Sequence, residues 1–492
     1  MANPVEIAVF AYFTITVIGL GLLFSLKRSG RLTTEEMFLG SRTIRMLPLA
    51  LSSLSSIMSS TGIISFSAHF YAYGIHIGWT STAAALLLIP FTIHVIIPVL
   101  YKLKITSVFE YLRARYCKGI SFTACVMYFI LTQSTGAVAI YAAAMATSTI
   151  FQLPFLWSCI AIGMTGTIYT TLGGLRGVVW TDSMQALVTI LAPATIIVKI
   201  IYDSQSGIFK LRPLKDFDFG NFVMDTTLDF TKDENAWSCL IGLFATHIYR
   251  SGMDQMIVQR YLASRTLEEA KRTARFGMVL ISFYYASVTG MGILIIYWFR
   301  DCDPQLSGAI KQLDQLLPFY VKKHLAQFPG FSGLFLAGVV SAATSTISSI
   351  INSQAAVLYT DVVSQNFTLT ELQATRVTIC IAFAAGSIMT LYGAAIPYVG
   401  SVTRMFVMVN SATTGPFVGL FLMALIFPCV NSKGAGTATL LMIAFQFWLM
   451  YNKFLLEFRP LRIPVTLNNC PGNYTTLLTE TSNATSISTP VM

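Results

Sequence analysis

Ser52-Ser53-Leu54-Ser55-Ser56-Ile57-Met58-Ser59-Ser60-Thr61-Gly62 sets seven hydroxyls and a glycine inside a stretch otherwise apolar enough to lie in a membrane. A lipid-facing helix would be apolar here, because an unpaired polar group in hydrocarbon is costly. Such hydroxyls can bond back to carbonyls of the preceding turn, so one reading is a helix packed by small residues. The other is an unwound stretch whose carbonyls and hydroxyls offer oxygen ligands to a hard cation. A second run, Ser341-Ala342-Ala343-Thr344-Ser345-Thr346-Ile347-Ser348-Ser349, repeats the signal far along the chain. Neutral oxygens at close range suit a monovalent ion, whereas several carboxylates would favour a divalent one.

Around these runs the composition is that of a membrane protein. The 492 residues are 54% hydrophobic and 11% charged, with a mean hydropathy of +0.66; a soluble domain carries roughly a quarter charged residues. That excludes a soluble enzyme. Apolar stretches such as Leu86 to Leu100, Met278 to Phe299 and Phe417 to Phe427 approach the ~20 residues a spanning helix needs. Window length predicts about twelve spans, centred roughly on residues 15, 60, 90, 135, 162, 190, 244, 287, 345, 386, 413 and 442.

The net charge of +10 follows topology rather than nucleic-acid binding. Basic residues gather in alternate connectors, Lys27 to Arg45, Lys102 to Lys118, Arg176, and Arg250 to Arg275, which are therefore cytoplasmic. No basic residue precedes the first span, so it reads as an anchor with its N-terminus outside. An even number of spans also puts the Ser/Thr-rich tail outside, where the sequons at Asn473 and Asn483 can carry glycans. Of eight cysteines, Cys302 and Cys470 both fall outside and could pair.

Two spans, Leu47 to Gly74 and Trp237 to Gly252, are interrupted by small and polar residues. Inverted-repeat transporters place discontinuous helices at corresponding positions of their two halves, around a midplane site. The expected organisation is a leading helix with cytoplasmic connector (1–45), a first repeat of five helices (46–202) and an extracellular connector (203–235). A second repeat (236–428), a final helix (429–452) and an extracellular glycosylated tail (453–492) follow.

Five motifs give the chain a family likeness: Leu47-Pro48 leading into Ser52 to Ser60, Tyr169 to Leu175, Val179-Trp180-Thr181-Asp182-Ser183-Met184-Gln185, Asp254 to Leu262, and Ser332 to Ala337 leading into Ser341 to Asn352. With these, in this order, the chain resembles the sodium/solute symporter family, and within it the branch of iodide, multivitamin and monocarboxylate transporters. The resemblance implies an all-α polytopic membrane protein with the leucine-transporter-type inverted repeat, one extra helix before the ten-helix core and one after. It also implies a sodium site between the first and eighth core helices: the carbonyls of Ser55, Met58 and Ala342 and the hydroxyls of Ser345 and Thr346.

Asp182 would lie on the ion's inward route, or else be an interfacial acid near Arg176. On the solute side, the position where relatives carry a glutamine is Gly62, and His247 holds the position of a sugar-contacting residue, with Arg250 and Ser251 one turn on. Tyr141 matches an aromatic lining the solute cavity. Arg404 lies near the outer end of the tenth core helix and could attract a carboxylate, and His69 could line the outer mouth. Members of the branch carry a further helix after the glycosylated segment, within which this chain stops at Met492.

The resulting expectation is a plasma-membrane symporter that is not an enzyme and has no cofactor beyond sodium as coupling ion. Its solute would be a small organic anion, monocarboxylate or vitamin-like, or iodide; its partners are that solute, sodium and the bilayer, with no nucleic acid. The alternatives are a sugar or polyol symporter and a transport-inactive sensor of the same fold.

Overall fold

The computed structural model describes residues 3–26, 33–207, 219–229, 232, 234–398, 402–455, 461–467 and 470. Helices dominate: α1 (Pro4–Leu26), α2 (Met46–Ile57), α3 (Ser60–Tyr73), α4 (His76–Lys102), α5 (Lys118–Phe151), α6 (Phe155–Gln205), α7 (236–253), α8 (Gln255–Leu262), α9 (Leu267–Phe299), α10 (Phe331–Asn366), α11 (Glu371–Tyr398), α12 (Val402–Ile426) and α13 (Ser432–Leu455). Among the described residues, seven helices are long and apolar enough to cross a membrane alone, and α2 with α3, bent by 46°, forms an eighth span.

The 51-residue α6 holds two passes. Tyr169 Oη donates to the Thr344 carbonyl and Gln185 Nε2 donates to Thr344 Oγ1, each at 2.8 Å. A straight helix would hold those two residues about 24 Å apart. The chain therefore reverses between them, at Gly174 (φ 57, ψ −168), a conformation that glycine tolerates. With the broken span α7–α8 and the shorter apolar helices at 4–19 and 412–426, the spans amount to about twelve, as window length predicts.

The connectors sort by sign. At one end Arg42 bonds to the Lys104 carbonyl, Arg265 to the Thr43 carbonyl, and Arg176 to Glu36. At the other, Cys302 and Cys470 are joined in a disulfide, and the Ile463 N–H donates to Ala72 O at 2.7 Å, tying the segment after α13 to the tip of α3. Glu6 of α1 accepts from the N–H groups of Gly330 (2.9 Å) and Gly333 (2.5 Å), covering the start of α10. Glu6 is buried, so Glu6→Ala is expected to destabilise the fold by about 1–3 kcal/mol by leaving those donors unpaired. A melting temperature within a degree of wild type in detergent would contradict this.

Candidate functional site

The hydroxyl run builds a break. Met58 (φ −69, ψ 93) and Ser59 (φ −101, ψ 160) are extended, so the helical hydrogen-bond ladder stops at Ile57 and restarts at Ser60. Ser59 caps the restart by accepting from the Gly62 N–H at 3.4 Å. Ser53 and Ser56 bond back to Leu49 O and Ser52 O, the local competition that weakens a helix here. Carbonyls just before the break lose their i+4 partners, and Ser55 O turns to α10 instead.

There Ser345 Oγ lies 2.9 Å from Ser55 O and 3.1 Å from Ala342 O, and Thr346 Oγ1 lies 3.0 Å from Ala342 O. Ser55 Oγ is buried without a protein partner, and Met58, at the break, is fully buried. Four of the five residues that the resemblance implies for sodium thus meet through neutral oxygens, with Met58 at the adjoining break.

One turn toward the basic connectors lies a buried ionic cluster. Arg260 Nη2 donates to Asp182 Oδ2 at 2.8 Å, and both side chains are almost wholly enclosed. Ser52 Oγ donates to the same carboxylate oxygen at 2.7 Å, with Ser349 at 3.3 Å; Ser348 reaches Oδ1 at 3.4 Å. Arg260 also reaches Ser52 Oγ, Ser349 Oγ and Met256 O. Asp182 is therefore not an interfacial acid near Arg176, whose guanidinium goes to Glu36. Ser348 Oγ donates to Ser345 O at 2.9 Å, so the cluster abuts the oxygen site.

Beside the break is a cavity of 130 Å³ bordered by Thr61, Gly62, His247, Arg250, Tyr284 and Thr346, with Asn410 of α12 completing the wall. Thr346 belongs to both this wall and the oxygen cluster. The second discontinuity frames the opposite side: the Asp254 N–H reaches five residues back to Tyr249 O, and the Asp254 side chain caps α8 through Met256 N.

Of the implied solute residues, Gly62 and His247 line this cavity; Tyr141 and Ser251 stand apart from it. Tyr141 Oη donates to Gln312 Oε1 at 3.1 Å and its ring packs edge-on to Phe155, because that face of α5 meets the connector before α10's entrance turn. Ser251 Oγ turns back to Ile248 O. His69 lies 3.0 Å from Glu234, at the end of α3 away from the break. The side chain of Arg404, and Asn473 and Asn483 entirely, lie outside the described residues.

Arg260, Tyr284 and Asp254 carried no functional role in the sequence analysis, and Ser52, Thr61 and Ser349 entered it only as members of the two hydroxyl runs. Arg260 carried a signal, being a charge inside a family motif between two apolar spans. Asp254 bears on the solute-side charge: Arg250 Nη1 meets its buried carboxylate at 3.1 Å, so the arginine at the cavity wall has an acid behind it.

The sodium:solute symporter family description matches residues 37–441. Sodium-coupled monocarboxylate transporter 2 of Mus musculus is 30% identical over 473 residues, covering 94% of this chain and 75% of that protein. Sodium-coupled monocarboxylate transporter 1 of Xenopus laevis is 28% identical over 493 residues, covering 98% and 77%. Among solved structures, a Na+-coupled sialic acid symporter in a substrate-bound outward-open state superposes with a TM-score of 0.79 at 21% identity, covering 93% of this chain and 98% of that one. That likeness is one of fold, the leucine-transporter-type inverted repeat.

Proposed function

The chain belongs to the sodium:solute symporter family, a multi-pass membrane protein that moves a small organic solute with sodium as coupling ion, and we propose that the solute is a short organic anion of the monocarboxylate kind. The observation that carries this reading is the wall of the cavity: among its described lining residues none is an acid, and the single charged one, Arg250, is paired with Asp254 behind the wall. An acid facing the solute would be expected for a cation. The cavity, at 130 Å³, has room for a lactate-sized molecule. The monocarboxylate transporters to which the chain is similar agree with that class.

Sodium is held by the carbonyls of Ser55, Met58 and Ala342 and the hydroxyls of Ser345 and Thr346. It ties the kink to α10, and Thr346 passes its effect to the solute wall. Coupling of this sort is reciprocal: each ligand favours the state that the other binds. Asp182 and Arg260 form the inward barrier behind the ion. The inverted repeats are 46–202 and 236–428, and the helix bundle they build rocks inward once both ligands are bound. The disulfide favours an oxidising, extracellular side for the Cys302 end, and the basic end is then cytoplasmic, in the plasma membrane. Asn473 and Asn483 are glycan acceptors on the extracellular side.

A monovalent anion cancels the charge of one sodium, so voltage-driven uptake, at about 2.3 kcal/mol per net charge per 100 mV, requires a second. The test is uptake of labelled lactate, pantothenate, iodide, glucose and myo-inositol into vesicles, with sodium and with choline in its place. Sodium-dependent lactate accumulation at least tenfold above the choline control is expected. Accumulation of glucose or inositol alone overturns the anion reading.

A further inference from the structure

Several polar side chains at the cavity have partners within the protein: Arg250 is held by Asp254, Ser56 by Ser52 and Ser349, and Thr135 by Leu131. Three residues that line it carry a buried polar atom that has none. Thr61 Oγ1, His247 Nε2 and Tyr284 Oη are buried, and none has a hydrogen-bond partner in the protein. A buried polar group without a partner is destabilising, so three on the wall of one cavity call for a physical reason.

Tyr284 is the most informative. It projects from the middle of α9 and is 3% exposed, as is Thr61. Its hydroxyl lies 3.2 Å from the point where a side chain on residue 62 would begin. Glycine at 62 is what lets the phenol reach the first turn of α3. There the 14-residue helix begins at Ser60, and its positive dipole end favours an anion.

Resting on the organic-anion reading above, we propose that Tyr284 is the residue that anchors the solute's carboxylate. Its hydroxyl donates to one carboxylate oxygen and that of Thr61 to the other, while His247 meets the solute's remaining polar group. A carboxylate only accepts, and a phenol donating to it makes a charge-assisted bond. This arrangement selects short carboxylates over their uncharged amides, and Gly62 sets the depth of the site by leaving the phenol tip room.

The experiment uses the full chain in proteoliposomes with sodium-driven uptake of labelled lactate, and lactamide as competitor. Tyr284→Phe keeps the ring and removes only the unpartnered hydroxyl, so folding should be unaffected. The expected result is a KM for lactate raised about tenfold or more, with half-saturating sodium at saturating lactate changed less than about twofold. The preference for lactate over lactamide should shrink by the same factor. Gly62→Ala, which crowds the phenol tip, should raise KM with Tyr284 intact.

If Tyr284 only packs, Tyr284→Phe will match wild type in KM and in amide discrimination, and the proposal falls whatever Gly62→Ala does. If wild-type vesicles take up no short carboxylate at all, the anion reading falls first and this assignment with it. Lactate uptake by wild type with a silent Tyr284→Phe overturns the assignment alone.

Discussion

Arg260→Ala is expected to lower the stability of the folded protein by about 3–5 kcal/mol, the range for breaking a buried ion pair from one side. The guanidinium is 1% exposed, Asp182 is fully enclosed, and the two meet at 2.8 Å. Without Arg260 the carboxylate keeps only hydroxyl donors, from Ser52, Ser348 and Ser349. Hydroxyls solvate an anion incompletely, and the uncompensated charge stays buried. The pair's own net contribution is small, because desolvation offsets most of the attraction. Hence the double variant Asp182→Asn with Arg260→Met should recover much of the loss, a non-additivity that thermal melting in detergent can measure. Equal losses in single and double variants would mean that Arg260 acts by packing alone.

Ser345→Ala should raise the half-saturating sodium concentration for uptake at least about tenfold, equivalent to 1.4 kcal/mol. The hydroxyl faces Ser55 O across the break and Ala342 O within its own helix, so its loss removes an oxygen from the middle of the cluster. Alanine occupies nearly the same volume, and the helix should be undisturbed. By reciprocity the solute's affinity should fall at low sodium and approach wild type as sodium saturates. Thr346→Ser, which keeps the hydroxyl, should stay within about threefold of wild type, while Thr346→Ala should resemble Ser345→Ala. Sodium titrations of lactate uptake check all three, and unchanged curves would remove these hydroxyls from the ion site.

The break at Met58 and Ser59 was legible because its cause is local: serines that bond their own backbone, followed by a serine able to cap what comes next. The same is true of the spans, which hydropathy marks one by one. The pairing of Asp182 was not legible. Arg176 is six residues away in sequence, yet the reversal at Gly174 and the packing of α8 against α2 and α10 bring up Arg260 instead. Tyr141 shows the limit of reasoning by likeness, for an aromatic at a matching position turns to Gln312 when its helix face meets a connector. Tyr284 lay in an aromatic cluster with Tyr285, indistinguishable from packing until its distance from Gly62 was known.

Thr344 is gripped twice, by its carbonyl and by its hydroxyl, from the two arms of α6. Those arms act as a jaw closed on α10 one residue before Ser345. A rotation that carried α10 away from α6 would have to open both contacts at once, so the two elements travel, or stay put, as one block. Ser345 and Thr346 are fastened to that block, and Ser55 on α2 meets it through the Ser345 hydroxyl. An ion held there, as proposed above, would act as a rivet between α2 and that block, and its release would free α2 to part from α10.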